Sequence, residues 1–212
     1  MRADAAACNP QTVDCSLIEP SGENALRTVP TRIGKLPADQ IVPALPKATW
    51  FKSVGAPISD VERKECVRYL HGLGVQSCAI ETVGTWQEAV ALATRACWHA
   101  PWWERERSEE RRLFELASVY HSPDALLLRL SNLMRGSASL FLSPASIACA
   151  RAGVRDATIA SAAARAAAQS LHQYGLASIT GQGEGHLFAV KFRLFLAGRW
   201  PLCVTAEKFF VF

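Results

Sequence analysis

The chain has 212 residues, 50% of them hydrophobic and 20% charged, with 23 basic against 19 acidic side chains and a formal net charge of +4. That supply of apolar residues builds a sizeable core and excludes a disordered chain. A charge so mild, and scattered rather than gathered on one stripe, argues against nucleic-acid binding.

The seven cysteines (Cys8, Cys15, Cys66, Cys78, Cys97, Cys149, Cys203) are odd in number and irregularly spaced, with no Cys-x-x-Cys pair. They read as reduced thiols of a cytoplasmic protein rather than a disulfide framework. The opening Met-Arg-Ala-Asp begins no secretory signal. No window reaches the roughly 18–20 uncharged apolar residues of a membrane span, since Pro144 and Arg165 interrupt the best stretches.

Residues 1–46 carry Pro10, Pro20, Pro30, Pro37, Pro43 and Pro46 among Ser, Thr, Asn and Gly. Each proline fixes its own φ and biases the preceding residue towards extended backbone, so a loosely ordered arm is expected. Helical signals begin after Trp50 and Phe51. Ser59-Asp60-Val61-Glu62 has the order of a capping box and opens a helix over about 60–71, which Gly72 and Gly74 stop. Residues 75–83 form a candidate strand. Thr85-Trp86-Gln87-Glu88 is a second capping box, opening a helix that reaches Ala96 and ends before Pro101.

A charged helix is expected from about Glu104 to Tyr120. Its sign-alternating run, Trp103 to Arg112, reads as a solvated face that pairs with itself. Ser122-Pro123 restarts the chain, with Ser at the N-cap and Pro in the first helical position. The apolar face that follows, through Leu126, Leu130 and Met134, is expected to end at Gly136. Ser143-Pro144 repeats the device for a short helix closed by Gly153. Asp156 then caps an Ala-rich helix from Thr158 to Tyr174, closed by Gly175.

Leu176 to Thr180 is a possible strand and Gly181 to Gly185 a hinge. His186 to Ala197 has spacing that suits a buried helix slightly better than a strand. Trp200 to Thr205 and Lys208 to Phe212 read as a β-hairpin turning at Ala206-Glu207, with Trp200, Leu202, Val204, Phe210 and Phe212 on the face towards the helices. The fold class is therefore α+β: a mainly helical body with a small C-terminal antiparallel β-sheet or hairpin. Its segments are the arm at 1–46, the helical body at 47–175 and the β-containing module at 176–212.

Local signatures of chemistry are absent. The five histidines (His71, His99, His121, His172, His186) are isolated from one another, and Cys97-Trp98-His99 does not complete a metal site by itself. The sequence contains no Gly-x-Ser-x-Gly elbow, phosphate-binding loop or dinucleotide fingerprint; Gly181, Gly183 and Gly185 lack the strand-turn-helix context. Trp98, Trp102 and Trp103 either wedge one helix on the next or anchor a partner. No catalytic residue is assigned. The hairpin is the functional candidate, because an open strand edge offers N–H and C=O groups to an extended peptide unless the arm covers it.

Phe195-Leu196-Ala197-Gly198-Arg199-Trp200-Pro201-Leu202, with Val204 and the closing Phe209-Phe210-Val211-Phe212, resembles the C-terminus of the MbnC-type proteins of methanobactin biosynthesis. The likeness covers the last fifth of the chain. Cys203, where a small residue such as Gly is expected, departs from it. The resemblance implies a subunit without activity or cofactor of its own, the obligate partner of an iron-dependent TIM-barrel oxidase. Together the two convert cysteines of a ribosomal precursor peptide into oxazolone and thioamide groups that chelate copper. It further implies that the hairpin, through Arg199, Trp200, Leu202, Val204, Phe210 and Phe212, holds the leader peptide by strand addition, and that the helical body docks on the enzyme. Neither nucleic acid nor membrane is an expected partner.

Two other classes stay open at this point. One is a nucleic-acid-binding regulator with the hairpin as a wing, using Arg151, Arg155, Arg193 and Arg199 on phosphates. The other is a thiol-dependent enzyme using one of the seven cysteines.

Overall fold

The structure, a computed structural model, describes Leu45 and residues 49–94, 100–119, 121–205 and 207–212, all within the unit Thr31–Phe212. The proline-rich arm (apart from Leu45), the Cys97-Trp98-His99 triplet, the expected helix end at Ala96, Tyr120 and Ala206 of the hairpin turn lie outside the described residues.

Six helices and three strands are found among the described residues: α1 Asp60–Gly72, β1 Ala79–Thr82, α2 Trp86–Thr94, α3 Ala100–Ser118, α4 Pro123–Arg151, α5 Ala157–Ile179, α6 Leu187–Leu196, β2 Pro201–Val204 and β3 Lys208–Val211. The fold is mainly helical with a small C-terminal sheet. Three of the capping signals act as the sequence implies, whereas Ser143-Pro144 starts no helix. Ser59 and Glu62 form the reciprocal box at α1, Ser122 accepts from the Ala125 N–H at α4, and Asp156 accepts from the Thr158 N–H at α5.

Three boundaries differ from expectation, each for a physical reason. α3 starts at Ala100, because Pro101 falls in the first turn, where a missing N–H breaks no helical bond. α4 runs unbroken through Gly136 and Pro144. Leu126, Leu130, Phe141, Ala145 and Cys149 are all buried along it, and α4 and α5 are the most extensively packed pair of helices. That burial outweighs local penalties of about 1 kcal/mol for Gly and about 3 kcal/mol for Pro.

α5 likewise passes through Gly175 and absorbs the stretch expected as a strand, so the anticipated boundary between residues 175 and 176 falls inside a helix. Gly175 is a packing residue rather than a cap. A Cβ there would sit 3.3 Å from Leu133 Cδ2 and 3.5 Å from Leu130 Cδ2.

The sheet has the order β1-β3-β2. β2 and β3 form the expected antiparallel hairpin, with a register irregularity between Pro201 and Cys203. β1 lies parallel along the other side of β3, pairing Ala79 with Lys208 and Thr82 with Val211. The central strand is therefore the last of the three in sequence, and β1 takes the side of it that β2 leaves.

The phase of β3 is opposite to that expected. Phe209 and Val211 are buried, whereas Phe210 alternates away from them and is half-buried. Phe212, just past the strand, is buried against Trp86, their rings 4.9 Å apart and near-perpendicular. The core continues through Phe51, held at a left-handed φ of 55° among Trp86 and Phe195.

Candidate functional site

In the order β1-β3-β2 the two edge strands are β1 and β2; β2 is buried throughout, whereas β1 alternates exposed and half-buried residues. The Ala79 N–H donates to Glu207 O and the Val83 N–H to Val211 O, both at 2.9 Å. In a parallel ladder alternate residues turn both backbone polar groups to the same neighbour. Ala79, Glu81 and Val83 therefore face β3, and Ile80 and Thr82 turn their N–H and C=O groups the other way. Among the described residues no strand pairs with β1 on that side. The exposed side chain of Glu81 forms an ion pair with Lys208 at 2.7 Å, which braces β1 on β3.

The six residues expected to hold a peptide lie mostly in the interior. Trp200, Leu202, Val204 and Phe212 are at most 8% exposed, and Phe210 is half-buried. Arg199 is 2% exposed and commits all five guanidinium N–H groups within the chain: to both Glu62 oxygens (2.7 and 3.1 Å), and to the carbonyls of Ser53, Ala56 and Pro57 (2.6 Å each). These side chains fix the sheet against the helices, and the sheet offers backbone at its rim.

A second locus went unforeseen. Glu106, nearly two turns into α3, is 6% exposed. Its carboxylate accepts from Tyr69 Oη at 2.6 Å and Gln173 Nε2 at 2.8 Å, and pairs with Lys191 Nζ. Trp102 Nε1 donates to Tyr69 Oη at 3.3 Å, and Lys191 also donates to Gln173 Oε1 at 3.1 Å. Glu110, one turn further, accepts from Gln169 and Gln173 at 2.9–3.2 Å and lies 3.5 Å from His172 Nε2.

Burial alone would raise the Glu106 carboxyl, but Lys191 and the hydrogen bonds outweigh it and hold Glu106 below the usual carboxylate range. Burial and the adjacent Glu106 push the Tyr69 hydroxyl well above its ordinary value. Burial lowers His172, opposed in part by Glu110, and its Nδ1 is buried without a hydrogen-bond partner.

This network lines a cavity of about 970 Å³ between α3 and α5, with Lys191 and Phe195 of α6 and Leu202 of β2 also contributing. The expectation that the run 103–112 pairs only with itself is thereby corrected. Arg112 does pair with Glu109 at 2.6 Å, but Glu106, Glu110 and Arg105 are turned to tertiary partners, Arg105 donating to Leu73 O at 2.7 Å. The signal in the sequence was the matched spacing of Glu106/Glu110 and Gln169/Gln173, each four apart and so on one helix face.

Of the tryptophan cluster, Trp102 is buried and Trp103 is 41% exposed with Arg107 5.4 Å over its ring. Three of the described thiols are shifted away from reactivity. Burial raises Cys66 to about 12 and Cys149 to about 11, and it raises Cys78 as well. No group of three or more potential metal ligands occurs among the described residues. No described helix is long and apolar enough to cross a membrane.

No family model, no curated protein and no solved structure matches the chain.

Proposed function

We propose that this chain is a cytoplasmic, non-catalytic accessory subunit that binds a ribosomal precursor peptide by strand addition and presents it to an iron-dependent TIM-barrel oxidase. The oxidase then converts peptide cysteines to oxazolone and thioamide groups, as the resemblance to MbnC-type proteins implies. The observation that carries the reading is the open edge of β1. Ile80 and Thr82 offer two N–H donors and two C=O acceptors in the spacing an extended peptide matches, on a strand anchored to the centre of the sheet.

A four-residue edge spans about 13 Å, which gives register and direction at modest affinity. Specificity falls to the side chains that flank the added strand. The residues expected to hold the peptide contribute indirectly: Trp200, Leu202, Val204 and Phe212 seat the sheet, and Arg199 locks its entry.

The test is a substitution that deletes an outward donor while sparing the inner ladder. Thr82→Pro removes an N–H that β3 does not use, a position where an edge strand tolerates proline. Calorimetric titration of a cysteine-containing precursor peptide should show binding to the wild-type protein and loss of at least tenfold in affinity for Thr82→Pro with an unchanged melting curve. Co-expression with the oxidase should yield a stable complex in both cases. Equal peptide affinity for the two proteins would remove β1 as the docking edge.

A further inference from the structure

The cavity between α3 and α5 is unevenly charged. Its lining carries four cations, Arg107, Arg111, Arg165 and Lys191, against two carboxylates, Glu106 and Glu110. Lys191 is spent on Glu106. Arg107, Arg111 and Arg165 are exposed at the mouth, and none forms an ion pair with a described residue. Spacing explains their convergence on the sequence level: Arg107 and Arg111 are four apart on α3, and Arg165 precedes Gln169 and Gln173 by four and eight on α5, so each set shares one helix face.

Apolar side chains share the lining with the polar network of Glu106, Gln173 and Lys191. Phe114, Leu127, Ala166, Leu176, Phe195 and Leu202 all line the space. The volume of about 970 Å³ is at the upper end of the usual range for small-molecule sites. Glu106 is fully occupied by its three donors and stays paired to Lys191, so it does not repel an incoming anion as a free carboxylate would.

We propose that this cavity binds a small organic monoanion: an apolar body about the size of two fused rings or a medium alkyl chain, with one carboxylate left at the mouth. The carboxylate meets Arg111 and Arg165, whose guanidinium groups suit it. The apolar body displaces water from the inner walls. The site is independent of the β1 edge, so either assignment stands or falls without the other.

The probes are 2-naphthoate and its neutral analogue 2-naphthamide, each titrated calorimetrically into the full-length protein. Naphthoate should bind roughly tenfold or more tightly than the amide, the range that a charge-assisted contact provides. The double variant Arg111→Gln/Arg165→Gln should bring the two probes to equal affinity, because only the charged contact is lost. Ala166→Trp, which fills the space, should abolish both, with circular dichroism confirming that the helices persist. Thr82→Pro should bind naphthoate like the wild-type protein. The proposal is overturned if naphthoate does not bind, if acid and amide bind alike to the wild-type protein, or if Ala166→Trp retains naphthoate binding.

Discussion

Two buried ion pairs among the described residues, Arg199–Glu62 and Lys191–Glu106, are built differently. Arg199 and Glu62 sit at the entry to the hairpin. Every guanidinium donor is matched, three of them by the backbone carbonyls of Ser53, Ala56 and Pro57, so the pair closes the 53–57 loop onto the C-terminal strands. Lys191 and Glu106 sit between helices. That pair is satisfied by side chains alone, Tyr69 and Gln173, and its surroundings open on a cavity. A buried charge whose partners are backbone serves the fold, because no rotamer can replace them. One whose partners are side chains beside empty space is free to serve a ligand.

The largest effect is expected where the partners are backbone. Arg199→Met leaves Glu62 and three carbonyls without their donor and should cost about 3–5 kcal/mol in denaturant unfolding. Adding Glu62→Gln should not recover it. Gly198→Ala belongs to the same region: Gly198 has φ +89°, and a Cβ there meets Thr49 O at 2.7 Å. A loss of about 2 kcal/mol or more is expected, and the 49–57 loop should become a site of early proteolysis.

Lys191→Met should cost about 2 kcal/mol by stranding Glu106, but here Glu106→Gln added to it should recover more than half, since both charges are then gone. Equal recovery in the two regions would erase the distinction. Tyr69→Phe, which removes one of the Glu106 donors, should cost about 1 kcal/mol.

Acid acts on both regions in the same direction, since Glu62 and Glu106 are both held below the usual carboxylate range. The largest influence on the Glu62 carboxyl, burial, raises it, but the bonds from Arg199 and Ser59 outweigh that and bring it from 4.5 to about 2. Its folded value lies below its unfolded one, so the stability it contributes is whole above about pH 4.5 and drains away as pH falls towards 2. Unfolding free energy measured across that window should fall in the wild-type protein and be flatter in Glu62→Gln.

The sequence made legible what rests on local chemistry. The Ser59, Ser122 and Asp156 caps set three helix starts, and the branched and aromatic residues after Trp200 set the hairpin. Features that depend on distant contacts stayed hidden. Gly136, Pro144 and Gly175 read as breaks because nothing local reveals the α4–α5 packing that carries the helices through them. β1 was visible as a strand, but its pairing with β3 joins residues some 130 positions apart, as Ala79 with Lys208. The cavity was hidden for the same reason. Glu106 looked like one more charge in a solvated run until α5 and α6 brought Gln173 and Lys191 to it. Among the residues expected at the peptide site, Arg199 was singled out by its place in the chain, yet its role is internal.

The central claim, that an extended peptide adds to β1, is tested most directly by residue-resolved amide hydrogen exchange with and without a precursor peptide. Slowed exchange at Ile80 and Thr82 on peptide addition, with Glu81 and Val83 unchanged because their N–H groups already bond β3, is the predicted result. Peptide binding that leaves Ile80 and Thr82 exchanging as before would contradict it.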